Sequence, residues 1–140
     1  VFDDPAKTQD RGSEKELLML PKLLAEFGRP VQTLDMISPY FVPREAGTEA
    51  LASLARGGVR VRVMTNSLAA TDEPLVHTAY RRYRPDMLKL GADLYELSTK
   101  RTRSSVRLGL FGTSVGRLHA KSAVIDQRIL FVGSMNFDPR

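Results

Sequence analysis

One pattern near the end of the chain restricts it more than any other: His119-Ala120-Lys121, four residues, Asp126, six residues, then Gly133-Ser134-Met135-Asn136. His119 and Lys121 stand two apart in a segment that reads as extended, so both side chains emerge on one side of a strand. Residues 122–125 are mostly apolar and fit a buried strand. Gln127-Arg128 predicts a tight connection, and residues 129–132 form a second strand-like run. Gly133 permits close approach of the backbone, and Ser134 and Asn136 follow at the strand's end. The expected hairpin gathers an imidazole, an ammonium, a hydroxyl and an amide.

These groups suit phosphoryl chemistry. A neutral imidazole can attack phosphorus and form a covalent phosphohistidine. An ammonium and an amide can hold the non-bridging oxygens as negative charge builds. His-x-Lys alone is a common spacing, compatible with a half-buried His and a solvated Lys on an edge strand. All six fixed positions together would arise in on the order of one in 10^5–10^6 random chains of this length. The pattern is therefore read as a site.

The pattern resembles the HKD motif of the phospholipase D superfamily. Other segments are similar to the C-terminal half of bacterial cardiolipin synthases of the phospholipase D type: Asp3-Asp4-Pro5-Ala6-Lys7, Ser38-Pro39-Tyr40-Phe41-Val42-Pro43, Thr65-Asn66-Ser67-Leu68-Ala69-Ala70, Val76-His77 with Tyr80 and Tyr83-Arg84, and Phe137-Asp138-Pro139-Arg140. The resemblance covers nearly the whole chain. It implies an α/β domain, a phospholipase D-like α/β/α sandwich with a mixed sheet. That domain is one half of a two-fold pseudo-dimer and is truncated at its C-terminus. Residues 1–12 read as a linker or arm, and residues 13–140 as the incomplete domain carrying the second HKD motif. The chain begins without a methionine and stops just after the motif, as a segment of a longer protein would.

The resemblance also implies a reaction. A phosphatidyl group passes through a phosphohistidine to phosphatidylglycerol, with neither metal nor cofactor. By position, His119 is the nucleophile or the general acid. Lys121 and Asn136 bind phosphate, and Ser134 supports that cradle. Asp126 completes the catalytic set, where its part is to stabilise the turn and its neighbours. The second HKD motif comes from an N-terminal region or from another subunit, and the carboxylate that the family places shortly beyond the Asn to orient the His is expected past the end of this chain. Anionic phospholipids are the implied substrates, met in peripheral contact at the cytoplasmic side of the bacterial inner membrane.

Periodicity supplies the frame. Ser13 and Glu16 form a capping box ahead of Leu17, Leu20, Leu24 and Phe27 at helical spacing. Pro21 should kink that helix or start a second turn, and Gly28 should end it. A strand is predicted over residues 32–38, followed by a rigid loop at its carboxyl end, where open α/β sheets collect ligands. Tyr40 and Phe41 fit loop packing as well as the pocket wall that the resemblance implies. A second helix is expected over residues 46–56. Val59, Val61 and Val63 alternate with Arg60 and Arg62 as a strand, with Thr65-Asn66-Ser67 at its end. By resemblance Asn66 belongs to the pocket. Thr71 or Asp72 can cap a third helix that has Pro74 in its first turn and Pro85 as a break, with a last turn over residues 87–90 before Gly91. Val76, Ala79, Tyr80 and Tyr83 form its apolar stripe. His77 lies beside the stripe: lone helical histidines are usually structural, while the resemblance gives it a pocket role. Residues 93–97 read as a third strand. Residues 98–118 hold five basic residues and no acidic one, either a solvated loop or a flap that meets lipid phosphates.

Composition narrows little more. The 140 residues allow one domain, no cysteine means no disulfide or thiolate site, and two histidines are too few for a His-rich metal site. The formal charge of +5 favours anionic partners, lipid or nucleic acid. Two alternatives stay open. One is a single-HKD phosphodiesterase or nuclease acting as a homodimer on nucleic acid. The other is a non-catalytic membrane-binding module of the same fold.

Overall fold

The computed structural model describes residues 28–99, 117–134 and 136–138, together with Ala25. Along the chain come β1 (Thr33–Ile37), α1 (Arg44–Arg56), β2 (Arg60–Asn66), α2 (Pro74–Lys89), β3 (Asp93–Leu97), β4 (Ser122–Ile125) and β5 (Ile129–Val132). The strands form one sheet in the order β3-β2-β1-β4-β5. β1 pairs with β2, and β2 with β3, in parallel; β1 with β4 and β4 with β5 are antiparallel. The expected α/β domain with a mixed sheet is what the chain forms. The arm at residues 1–12, nearly all of the helix expected before Gly28 and most of the basic stretch at 98–118 lie outside the described residues.

Parallel neighbours need crossovers, and α1 and α2 supply them. The two helices touch each other as well as the sheet, so they share one face. Strand alternation determines what that face contains. Leu34 stands between Val61 and Ile125, and Met36 between Val63 and Ala123. All six are at most 2% exposed. Truncating Leu34, Met36 or Ile125 to Ala costs about 2–5 kcal/mol. The other face carries Asp35 and Arg62 as a bidentate ion pair, with Arg60 bonded to Asp93 at 3.1 Å. Leu130 and Val132 stand exposed on the same face. The alternation of Val59, Val61 and Val63 with Arg60 and Arg62 is thus one apolar face under helices and one charged face.

Three local expectations shift. Pro85 does not break α2: the turn expected after it is continuous with the helix, which runs on to Lys89. A proline inside a helix costs about 3 kcal/mol. Burying Met87, which is 1% exposed, returns about 1.5–3 kcal/mol and keeps the last turn in place. Neither Thr71 nor Asp72 caps α2. Glu73 is the N-cap residue, and Thr71 Oγ1 accepts the Glu73 N–H at 3.1 Å. The hairpin connection begins one residue earlier than expected. Asp126 and Gln127 take positive φ, and the Arg128 N–H donates to Ile125 O across them at 3.0 Å. Positive φ at two successive positions is the geometry of primed hairpin turns.

Candidate active site

The carboxyl ends of β1, β2 and β3 meet at one edge of the sheet. β4 runs against β1 with Ser122 opposite Ile37, which brings the residues just before β4 to that edge. His119 and Lys121 therefore arrive where open α/β sheets bind ligands. The two residues differ in exposure. The His119 residue is exposed, whereas Lys121 is 8% exposed and buried. The Lys121 ammonium donates to the His119 carbonyl oxygen at 3.0 Å. One of its three protons is thereby used, and two remain.

A cleft of about 480 Å³ opens here. His119, Ala120, Lys121 and Ser122 form one side, and Leu130, Val132, Gly133 and Ser134 the other. His119, Lys121 and Ser134 are thus among the residues that line one opening. Gly133 holds the mouth of the hairpin together: its N–H donates to Lys121 O at 2.9 Å. A Cβ at this position would sit 2.8 Å from the Phe131 ring, so the site needs glycine here for lack of room. Asn136 is half-buried and does not line this cleft; its Oδ1 is buried without a hydrogen-bond partner.

Two contacts hold the segment that enters the site. Asn66, the last residue of β2, is 3% exposed. Its Oδ1 accepts the Leu118 N–H at 3.0 Å, and its Nδ2 donates to Leu118 O at 3.2 Å and Pro39 O at 3.4 Å. Alongside, the Tyr40 hydroxyl donates to Asp72 at 2.6 Å, and Arg117 lies 4.0 Å from the same carboxylate. The Tyr40 hydrogen bond lowers the Asp72 pKa, helped by the charges of Arg117 and His119. Beyond the motif, Ser38 Oγ accepts the Phe137 N–H at 3.2 Å, and the Val42 N–H donates to Phe137 O at 3.0 Å.

The other expected site residues sit elsewhere. Phe41, expected on a pocket wall, is 2% exposed in the core, bridged to Phe137 and packed edge-on against Tyr80 at 6.3 Å. An aromatic ring of this size is worth more inside than on a rim. Asn66 is a clamp rather than a wall. His77 is 5% exposed, packs edge-on against Tyr80 at 5.6 Å and stands 3.8 Å from the Glu96 carboxylate, lining neither of the two clefts described here. Burial, with Glu96 nearby, pushes the Tyr80 hydroxyl pKa well up. Asp126 lies at the far end of β4 from His119. Its carboxylate accepts the N–H groups of Val31, Gln32 and Thr33 at 2.8–3.2 Å, and these bonds lower its pKa. It thus stabilises the turn and its neighbours and stands away from the cleft.

Sequence reasoning missed Asp72 and Ser38 as parts of the frame around the site. Asp72 sits in a Thr-Asp pair that reads as a helix cap, and Ser38 reads as the end of a strand. Neither carries a local signal of a partner more than 30 residues away. A second cleft, of about 600 Å³, lies between α2 and the chain around Val42 and Asp138. It contains none of the expected site residues. Among the described residues no three His, Cys, Asp or Glu side chains converge as a metal site would require.

Residues 23–140 match the family model described as "Cardiolipin synthase, PLD-like domain". The chain is 45% identical over 143 residues to cardiolipin synthase C of Escherichia coli (strain K12), an alignment that covers 100% of this chain and 30% of that protein. It is 31% identical over 103 residues to a cardiolipin synthase of Oceanobacillus iheyensis, covering 74% of this chain and 18% of that one. A minor cardiolipin synthase of Bacillus subtilis is 27% identical over 117 residues, covering 84% and 25%. The chain spans 30% or less of the length of these relatives.

Proposed function

The chain belongs to the cardiolipin synthase family of phospholipase D-like domains, and from that premise we propose that it forms one half of a phosphatidyltransferase site. The other half is a second HKD motif, supplied by the remainder of a longer chain or by another subunit. A neutral nitrogen of His119 attacks the phosphorus of a donor phospholipid. The P–N bond forms as the P–O bond to the leaving alcohol breaks, and the histidine of the second motif gives that alcohol its proton. A hydroxyl of phosphatidylglycerol then returns a proton to that histidine and attacks phosphorus. The P–N bond breaks, and His119 is restored.

Lys121 meets the non-bridging oxygens with the protons that His119 O leaves free. Ser134, across the cleft, supports that cradle, and Asn136, further along the same loop, would have to turn towards the cleft to reach the phosphate. Preorganised donors aimed at developing negative charge are worth about 10²–10³-fold in rate each. On this reading the domain works peripherally, at the cytoplasmic face of the bacterial inner membrane, on anionic phospholipids that suit its formal charge of +5. Among the described residues no helix is long and apolar enough to cross a membrane.

The observation that carries the reading is the single open cleft shared by His119, Lys121 and Ser134. The test uses the intact protein with phosphatidylglycerol vesicles, thin-layer analysis of the lipid products and mass spectrometry of trapped phosphohistidine. The expected result is cardiolipin formation with phosphate on His119, and no transfer by residues 1–140 alone. Transfer that persists in His119→Ala would sink the proposal. So would cleavage of nucleic acid without lipid transfer.

A further inference from the structure

We propose that Asn66 is a positioning residue for His119, acting through the main chain of Leu118. The inference rests on the reading of His119 as the reacting group and adds a residue that touches neither substrate nor imidazole.

Regular pairing of β4 starts only at Ser122. Among the described residues the chain ahead of it pairs with no strand beyond the Gly133 N–H on Lys121 O, yet on this reading His119 must be held in one place for in-line attack. Asn66 fills that gap. Its side-chain amide meets the peptide groups of Leu118 in both senses, accepting from N–H and donating to C=O, as one rung of a ladder would. The third bond, to Pro39 O, ties the clamp to the loop after β1. A fully buried amide is costly to leave unpaired, so the clamp has a strong preference for this one arrangement. Only an amide of this length serves. Asp keeps an acceptor for the Leu118 N–H but turns oxygens towards two carbonyls, and Ala offers neither group.

A neighbour provides the control. Thr65 is 4% exposed and donates to the same Pro39 oxygen at 3.3 Å, but its side chain makes no bond to residues 117–121. Thr65→Val therefore loosens the loop without releasing Leu118.

The experiment measures steady-state phosphatidyl transfer and thermal midpoint for the intact enzyme and for Asn66→Ala, Asn66→Asp, Thr65→Val and His119→Ala. Misplacing a reacting group by about 1 Å costs about 10²-fold. Asn66→Ala is expected to lower kcat by about that factor with KM within about threefold. Asn66→Asp should fall between it and the parent, and Thr65→Val should keep kcat within about threefold of the parent. An Asn66→Ala or Asn66→Asp enzyme with the parent's kcat would overturn the proposal, and so would a Thr65→Val enzyme that loses as much. If Asn66→Ala does not fold, the near-isosteric Asn66→Asp against Thr65→Val decides alone. Activity surviving in His119→Ala is a different failure, that of the underlying assignment.

Discussion

The β4–β5 hairpin has two ends, and they use their polar groups in opposite ways. At the turn, the Asp126 carboxylate accepts three backbone N–H groups at and just before the start of β1. At the mouth, His119 is exposed and Lys121 uses one proton on a neighbouring carbonyl. The lesson is that one motif divides its labour. The turn end fastens the hairpin to the sheet, and the mouth keeps donors in hand for something that arrives.

That division can be broken by substitution. Replacing His119 by Ala should abolish transfer in the intact enzyme, by at least about 10³-fold for loss of a covalent nucleophile, with the thermal midpoint little changed. Lys121→Met should lower kcat by about 10²–10³-fold. Because Lys121 is buried, its stability should also shift, measurable by thermal denaturation. Asp126→Ala should do the reverse. It frees three N–H groups and removes the partner that holds a non-glycine residue at a φ of 51°, so the thermal midpoint should fall while kcat of the folded fraction stays the same. If Asp126→Ala lowered kcat and left stability alone, the contrast between the ends would be wrong.

The smallest effect is in pH. Bonds from Thr33, Val31 and Gln32 hold the folded Asp126 pKa below the ordinary 3.8. A depressed carboxylate stabilises the fold at pH above its unfolded value, and that contribution is lost as pH falls through the folded value. Midpoints recorded from neutral pH downwards should therefore fall less steeply in Asp126→Asn than in the parent. Parallel curves would remove Asp126 from the acid limb.

The sheet was legible because its signals are local and repeated: alternating valines for β2, and apolar runs on either side of a turn for β4 and β5. The place of the cleft was legible because His119, Lys121, Gly133 and Ser134 lie within one short stretch. The frame around it was not, since it depends on pairs distant in sequence. Tyr40 looks like a wall residue until Asp72 is beside it, and Asn66 looks like a ligand until Leu118 comes back to meet it. Phe41 and Pro85 misled for a related reason, because each takes its place from burial that no neighbouring residue announces.

The short loop after β1 has one more consequence. Through Pro39 it reaches Asn66, and so the approach to His119; through Ser38 and Val42 it grips Phe137, just past Asn136. The segments that carry His119 and Asn136 thus ride on a common mount. A disturbance of that loop would reach both segments together. Transplanting the motif into another scaffold without residues 38–42 would bring the groups but lose their spacing.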